Sequence, residues 1–185
     1  MLAREAARDD EFCAHWRGRE GSIAHAMLLN DRAGRALLAG VDTSRTRVFT
    51  DMEVTHDDLY VHAYLDYWRR LRAEHPAARF VLNTRREDDW TRSRLRWQGG
   101  DYARRWARHH GVDPGDADAV AAAMVAERRA HHAEVAAAFA DEPARLLVFD
   151  IDEHHPDAFR EFLGVAPTGP PMPHAKVPPP QDWWE

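Results

Sequence analysis

Cysteine and lysine are almost missing from this chain: among its 185 residues, Cys13 and Lys176 are the only ones. A single cysteine excludes an intramolecular disulfide and makes a reducing, cytoplasmic setting the simplest expectation. A single lysine disfavours any mechanism that needs a buried amine at its centre. No apolar run approaches the ~20 residues that cross a bilayer, so no membrane partner is expected. The opening residues, Met1 to Phe12, mix Arg, Glu and Asp with no apolar signal core, and secretion has no support. Internal repeats are absent as well.

What is there fits a folded α/β protein. Hydrophobic residues make up 44% and charged residues 30%, enough apolar material for one domain with a proper core. The net charge of -6 argues against a nucleic-acid binder. Charge is nevertheless focused: from Arg85 to Arg108 there are eight arginines against four acids. A basic focus on an acidic chain fits a small anionic ligand.

Three segments read as strands, near residues 46 to 51, 79 to 84 and 145 to 151; the last is nearly all apolar, as expected of a strand covered on both faces. Between the first two, Val61, Tyr64, Leu65, Trp68 and Leu71 recur at helical spacing, predicting a helix from Asp57 to His75 that Thr55 or Asp57 caps and Pro76 stops. Strand, helix, strand implies a parallel pair joined by a crossover. Asn30-Asp31 reads as a turn after a short helix. Further helices are expected over about 88 to 97, with Asp88 as a candidate N-cap, over 116 to 140, and from Pro156 to Gly164. A polar stretch from Gly99-Gly100 to Pro114-Gly115 separates the first two of these. The domain reading is an α/β unit over 1–166 and a Pro-rich tail over 167–185, with Trp183-Trp184 expected to dock. The fold class is a three-layer α/β unit, a mostly parallel sheet with helices on both faces. Three strands are few for such a sheet, and an incomplete edge favours pairing with another chain as a homo-oligomer.

The stretch of most interest runs from the second strand into the Arg-rich helix. Asn83, Thr84 and Arg85 stand at the polar end of that strand, where open α/β sheets hold anions and nucleotides. Here the chain resembles the sulfotransferases that use 3'-phosphoadenosine 5'-phosphosulfate. The resemblance rests on Phe80-Val81-Leu82-Asn83-Thr84-Arg85 with Trp90 and Ser93-Arg94, on Arg145 to Ile151 followed by Phe162-Leu163-Gly164-Val165 and Pro171-Met172-Pro173-His174, and on His15-Trp16 with Phe49-Thr50-Asp51-Met52. It implies a P-loop-kinase-like sulfotransferase fold, with Arg85 and Ser93, eight residues apart, on the 3'-phosphate of the donor and Asn83 and Thr84 beside it. It also implies transfer of a sulfuryl group to a small-molecule hydroxyl with no metal. A guanidinium fork and a hydroxyl are suitable phosphate donors.

One departure stands out. The family's opening strand and its Pro-Lys-[ST]-Gly-Thr-[ST] loop, which grip the 5'-phosphosulfate, have no counterpart here; Gly21-Ser22 lacks both the strand and the lysine. The expectation is a chain that lacks the first strand and is truncated or inactive as it stands, since that loop supplies the charge stabilisation of the transferring group. Lys176 also stands where many relatives carry Asn after the Pro-His pair.

Candidate general bases are His15, Asp51 and Glu53, each able to take a hydroxyl proton. Arg128 and His132 interrupt an apolar helix face; the bland reading, hydrogen bonding to strand ends, is favoured over a reach into the site. The histidine pairs 109-110, 131-132 and 154-155 do not make a metal site, because neighbours on a helix point about 100° apart. The alternative to an enzyme is a non-catalytic α/β module that uses its Arg-rich helix to bind an anion or a protein.

Overall fold

The computed structural model describes residues 22–44, 48–50, 52–55, 60–154 and 156–164. His15, Asp51 and the tail from residue 165 lie outside the described residues. The chain is mixed α/β, and the described residues form two small two-stranded sheets.

Helix α1 (Ile23–Arg32) buries Ile23, Ala24, Ala26 and Met27, the i, i+1, i+3, i+4 stripe of a helix packed on one side. Asn30-Asp31 is not a turn: Asn30 is a buried helical residue whose amide donates to the carbonyls of Leu37 at 2.9 Å and Ala39 at 3.0 Å. It therefore folds the following loop back on the helix. Arg70 and Glu74 fasten the same loop from the other side, Glu74 accepting from the Leu37 amide at 2.8 Å.

Of the first expected strand, near 46 to 51, only residues 48–50 are among the described residues. Residues 48–50 carry no strand; β1 is Glu53–Thr55 and pairs antiparallel with β2, Tyr60–His62, with Val54 opposite Val61. The predicted helix over 57–75 is correspondingly shorter. Val61 belongs to β2, α2 is only Ala63–Asp66, and after a bend at Tyr67 α3 runs Trp68–Glu74. Tyr64, Leu65, Trp68 and Leu71 do keep helical spacing, but Val61 and His62 are drawn into the hairpin, where Val61 is buried against α1. Ile23, Met27, Leu37, Val54, Val61 and Leu71 make this first core.

The parallel pair instead joins β3 (Phe80–Thr84) to β4 (Leu146–Asp150), with Phe80 opposite Leu146 and Thr84 opposite Asp150. The Ile151 amide extends the ladder to the Thr84 carbonyl at 2.9 Å. The crossover between them is largely helical. Helix α4 (Glu87–Arg96) leads into a tight turn over Trp97–Gly100, where Gln98, Gly99 and Gly100 all take positive φ. Gly100, with φ of 91°, takes a left-handed conformation that favours glycine.

The stretch read only as polar, from Gly99-Gly100 to Pro114-Gly115, contains helix α5, Asp101–His109. Its Tyr102, Ala103, Trp106 and Ala107 pack on Val120 and Met124 of α6, Ala117–Ala138. Asp116 caps α6 by accepting from the Ala119 amide at 2.9 Å. A third core joins Trp68, Leu82, Val135 and Phe139 between the parallel pair and α6. The pair is not covered on both faces by the described residues: Val148 is 44% exposed. Helix α7, Pro156–Leu163, closes the described chain and ends at Gly164 with φ of 67°.

Candidate functional site

Asn83 and Thr84 end β3 and Arg85 follows it, among charges that are largely compensated. Asn83 is exposed and Thr84 half-buried. Arg128 reaches over from α6 and donates through Nη2 to the Thr84 hydroxyl and to the Arg85 carbonyl, both at 2.7 Å. Burial lowers the Arg128 pKa, and the favoured reading of Arg128 as a strand-end anchor matches this geometry. The Arg85 guanidinium faces Asp152 with Nε 4.0 Å from Oδ2, too far for a hydrogen bond, and that Nε is buried without a partner.

Ser93 lies two turns into α4, exposed to solvent. On a helix, residues 86, 89 and 93 share a face. Asp89 shares that face with Ser93 and also feels the Arg85 charge. It is already held by Arg86 at 2.5 Å and Arg92 at 3.0 Å, and the Arg86 hydrogen bond lowers its pKa. Glu87 is held by Arg129 at 2.6 Å. Asp88 is not the N-cap, which is Arg86; it is one of three acids in the first turn, favourable to the helix dipole.

A second polar cluster lies between the hairpin and α5, and Glu53 is its one member that the sequence marks as a candidate. Its centre is His62, 2% exposed. Nδ1 lies 3.3 Å from the Tyr60 hydroxyl and 3.5 Å from that of Tyr64, and Nε2 lies 3.5 Å from the Tyr102 hydroxyl and 3.8 Å from Glu53 Oε2. Burial, aided by the Arg94 charge, pushes the His62 pKa down to about 3, so the ring is neutral. Burial likewise raises the pKa of Tyr60, Tyr64 and Tyr102. Arg94 joins the cluster from α4, 3.5 Å from Glu53 Oε1 and over the Tyr102 ring at 4.9 Å. Its pKa is raised: burial, the largest effect, lowers it, and Tyr102, Tyr64 and Glu53 together outweigh that. Tyr60 stacks on His109 at 3.9 Å and Trp106 on His110 at 4.1 Å.

The chain matches no family model, no curated protein and no solved structure. The geometry therefore carries the functional reading alone. Glu53 is brought to this second cluster and not to the end of β3, while Arg94, adjacent to Ser93, links the two through α4. Sequence reasoning missed His62, Tyr60, Tyr64 and Tyr102 because they come from β2, α2 and α5 and form no local motif. A signal was available in Tyr60 and His62, which alternate along the chain as side chains of one strand face do. Among the described residues, no helix is long and apolar enough to cross a membrane, and no three His, Cys, Asp or Glu side chains gather as a metal site would need.

Proposed function

We propose that the chain carries the donor-nucleotide half of a sulfotransferase-like domain, binding the 3'-phosphoadenosine end of 3'-phosphoadenosine 5'-phosphosulfate for sulfuryl transfer to a small-molecule hydroxyl. The observation that supports this best is the strand end itself. Arg128 pins Thr84 and the Arg85 carbonyl from one side, and the Arg85 Nε is buried with no hydrogen-bond partner. A phosphate oxygen would satisfy that donor. The P-loop-kinase-like fold is part of the same proposal, supported by a parallel pair that ends at Thr84 and Asp150 and delivers Arg85 to the loop beyond.

Calorimetry with 3',5'-adenosine diphosphate tests it. Arg85→Ala is expected to weaken binding by about tenfold to a hundredfold and Ser93→Ala by less, a charged and a neutral hydrogen bond respectively. Binding indifferent to Arg85→Ala removes the site. A second reading, a non-catalytic anion or protein-interaction module, is favoured by one specific feature. Glu87 and Asp89 already occupy Arg129 and Arg86, and Asp152 faces Arg85, so an incoming anion meets carboxylates around this strand end.

A further inference from the structure

We propose that the groove between α4 and α6 is the docking site for the chain's own segment Asp182-Trp183-Trp184-Glu185. The groove has a volume of about 570 Å³. Its floor is Leu95 of α4 with Ala121, Ala122 and Val125 of α6, none of them fully buried. The groove exists because α6 has two apolar faces. Val120 and Met124 are buried against α5, while Ala121, Ala122 and Val125 line the side toward α4, where the alanines leave room. Helix α4 buries none of its own residues, so its contact with α6 is left open on this side. Pockets of roughly 300–1,000 Å³ take groups the size of one or two aromatic side chains.

Charge selects the occupant. Arg92 and Arg96, toward the C-terminal end of α4, stand at the rim. The Arg92 side chain is 57% exposed and touches Asp89, and Arg96 is exposed with no ion pair among the described residues. Glu87 and Asp88 lie at the other end, where Arg129 holds Glu87. Two large aromatic side chains flanked by acids suit this arrangement, the rings on the apolar floor and Asp182 and Glu185 beside the arginines. Residues 1–21 suit it less, since four arginines accompany their acids. Reach is sufficient. Trp183 is nineteen residues beyond Gly164, where the described residues end, and a Pro-rich chain at about 3.1 Å per residue spans roughly 60 Å over that length. A domain of this chain's length is only about 40 Å across. The seven prolines within residues 167–180 also reduce the chain freedom lost on docking. Docking does not depend on nucleotide binding.

The test uses the full chain with Cys13→Ser and Gln181→Cys, so that a nitroxide label can be attached beside the two tryptophans. Paramagnetic broadening is expected at the amide signals of Leu95, Ala121, Ala122 and Val125, and to the same degree when the protein is diluted, as contact within one chain requires. Trp183→Ser with Trp184→Ser is expected to lower the docking equilibrium by about thirtyfold or more, and leaves the three cores unaltered. Arg96→Glu is expected to lower it by about threefold, with Glu185→Arg in the same chain restoring part of the loss. Ala122→Trp fills the groove and is expected to displace the label. Broadening that is absent, that falls elsewhere, or that survives both the paired tryptophan substitutions and Ala122→Trp overturns the site. Broadening carried from labelled to unlabelled chains in a mixture, and lost on dilution, gives the groove to a second copy and overturns docking of the chain's own segment.

Discussion

Acidification acts on this fold through His62. In the unfolded chain an imidazole titrates at its ordinary value of 6.5, and in the folded chain burial holds His62 at about 3. The folded state therefore takes up the proton far less readily. Stability from His62 is fully present above pH 6.5 and is lost as pH falls from there toward 3. Each pH unit crossed between those two values costs about 1.36 kcal/mol, so the loss between about pH 7.5 and about pH 5 is about 2 kcal/mol, rising to roughly 4 kcal/mol near pH 3. No large discount for solvent applies, because the ring is 2% exposed. The groups that face it are Tyr60 on β2, Tyr64 on α2, Tyr102 on α5, Glu53 on β1 and Arg94 on α4, with the His109 and His110 charges adding to the same downward push when protonated. His131, held at about 4 mainly by burial, contributes in the same direction, so wild type alone does not isolate His62. The measurement is urea unfolding of wild type and His62→Gln at both pH values. Wild type should lose about 2 kcal/mol more than the variant on acidification to about pH 5. Equal losses would refute a neutral buried His62.

Two further perturbations probe the frame around the sites. Asn30→Ala strips the two hydrogen bonds to Leu37 and Ala39 and opens a small cavity under the loop, and is expected to cost about 2–4 kcal/mol in chemical denaturation; a loss below about 1 kcal/mol would mean that the loop is held by Glu74 and Arg70 instead. Arg128→Ala frees the Thr84 hydroxyl and the Arg85 carbonyl, and calorimetry should show 3',5'-adenosine diphosphate affinity falling by about tenfold, with Arg128→Lys restoring part of it by making one of the two bonds. Full affinity in Arg128→Ala would separate the strand-end anchor from ligand binding.

The legible elements are those whose pattern reflects one dominant environment. The apolar run of β4, the apolar-to-polar run of β3 and the long stripe of α6 fall within a residue or two of their expected places. Helix α5 is readable in principle, since Tyr102, Ala103, Trp106 and Ala107 keep helical spacing, but its interleaved arginines make the stretch look like polar coil. The helix over 57–75 fails for the opposite reason. Val61 fits a helical stripe as well as it fits a strand, and pairing with Val54 decides between them. Of the candidate site residues, Asn83, Thr84 and Arg85 stand together at a strand end as expected, while Glu53 shares its surroundings with three tyrosines and a histidine that spacing does not connect to it.

By itself the sequence determined that the chain is α/β, that β3 ends in a polar Asn-Thr-Arg step, and that an Arg-rich helix follows directly, because each depends on residues within a few positions of one another. Only the tertiary structure decided that β3 pairs with β4 across a helical crossover, that Arg128 anchors the strand end, and that His62 is buried neutral beside Glu53. Those outcomes depend on which distant surfaces come into contact, and a buried charge or hydroxyl acquires its partner and its pKa only once that contact has excluded water.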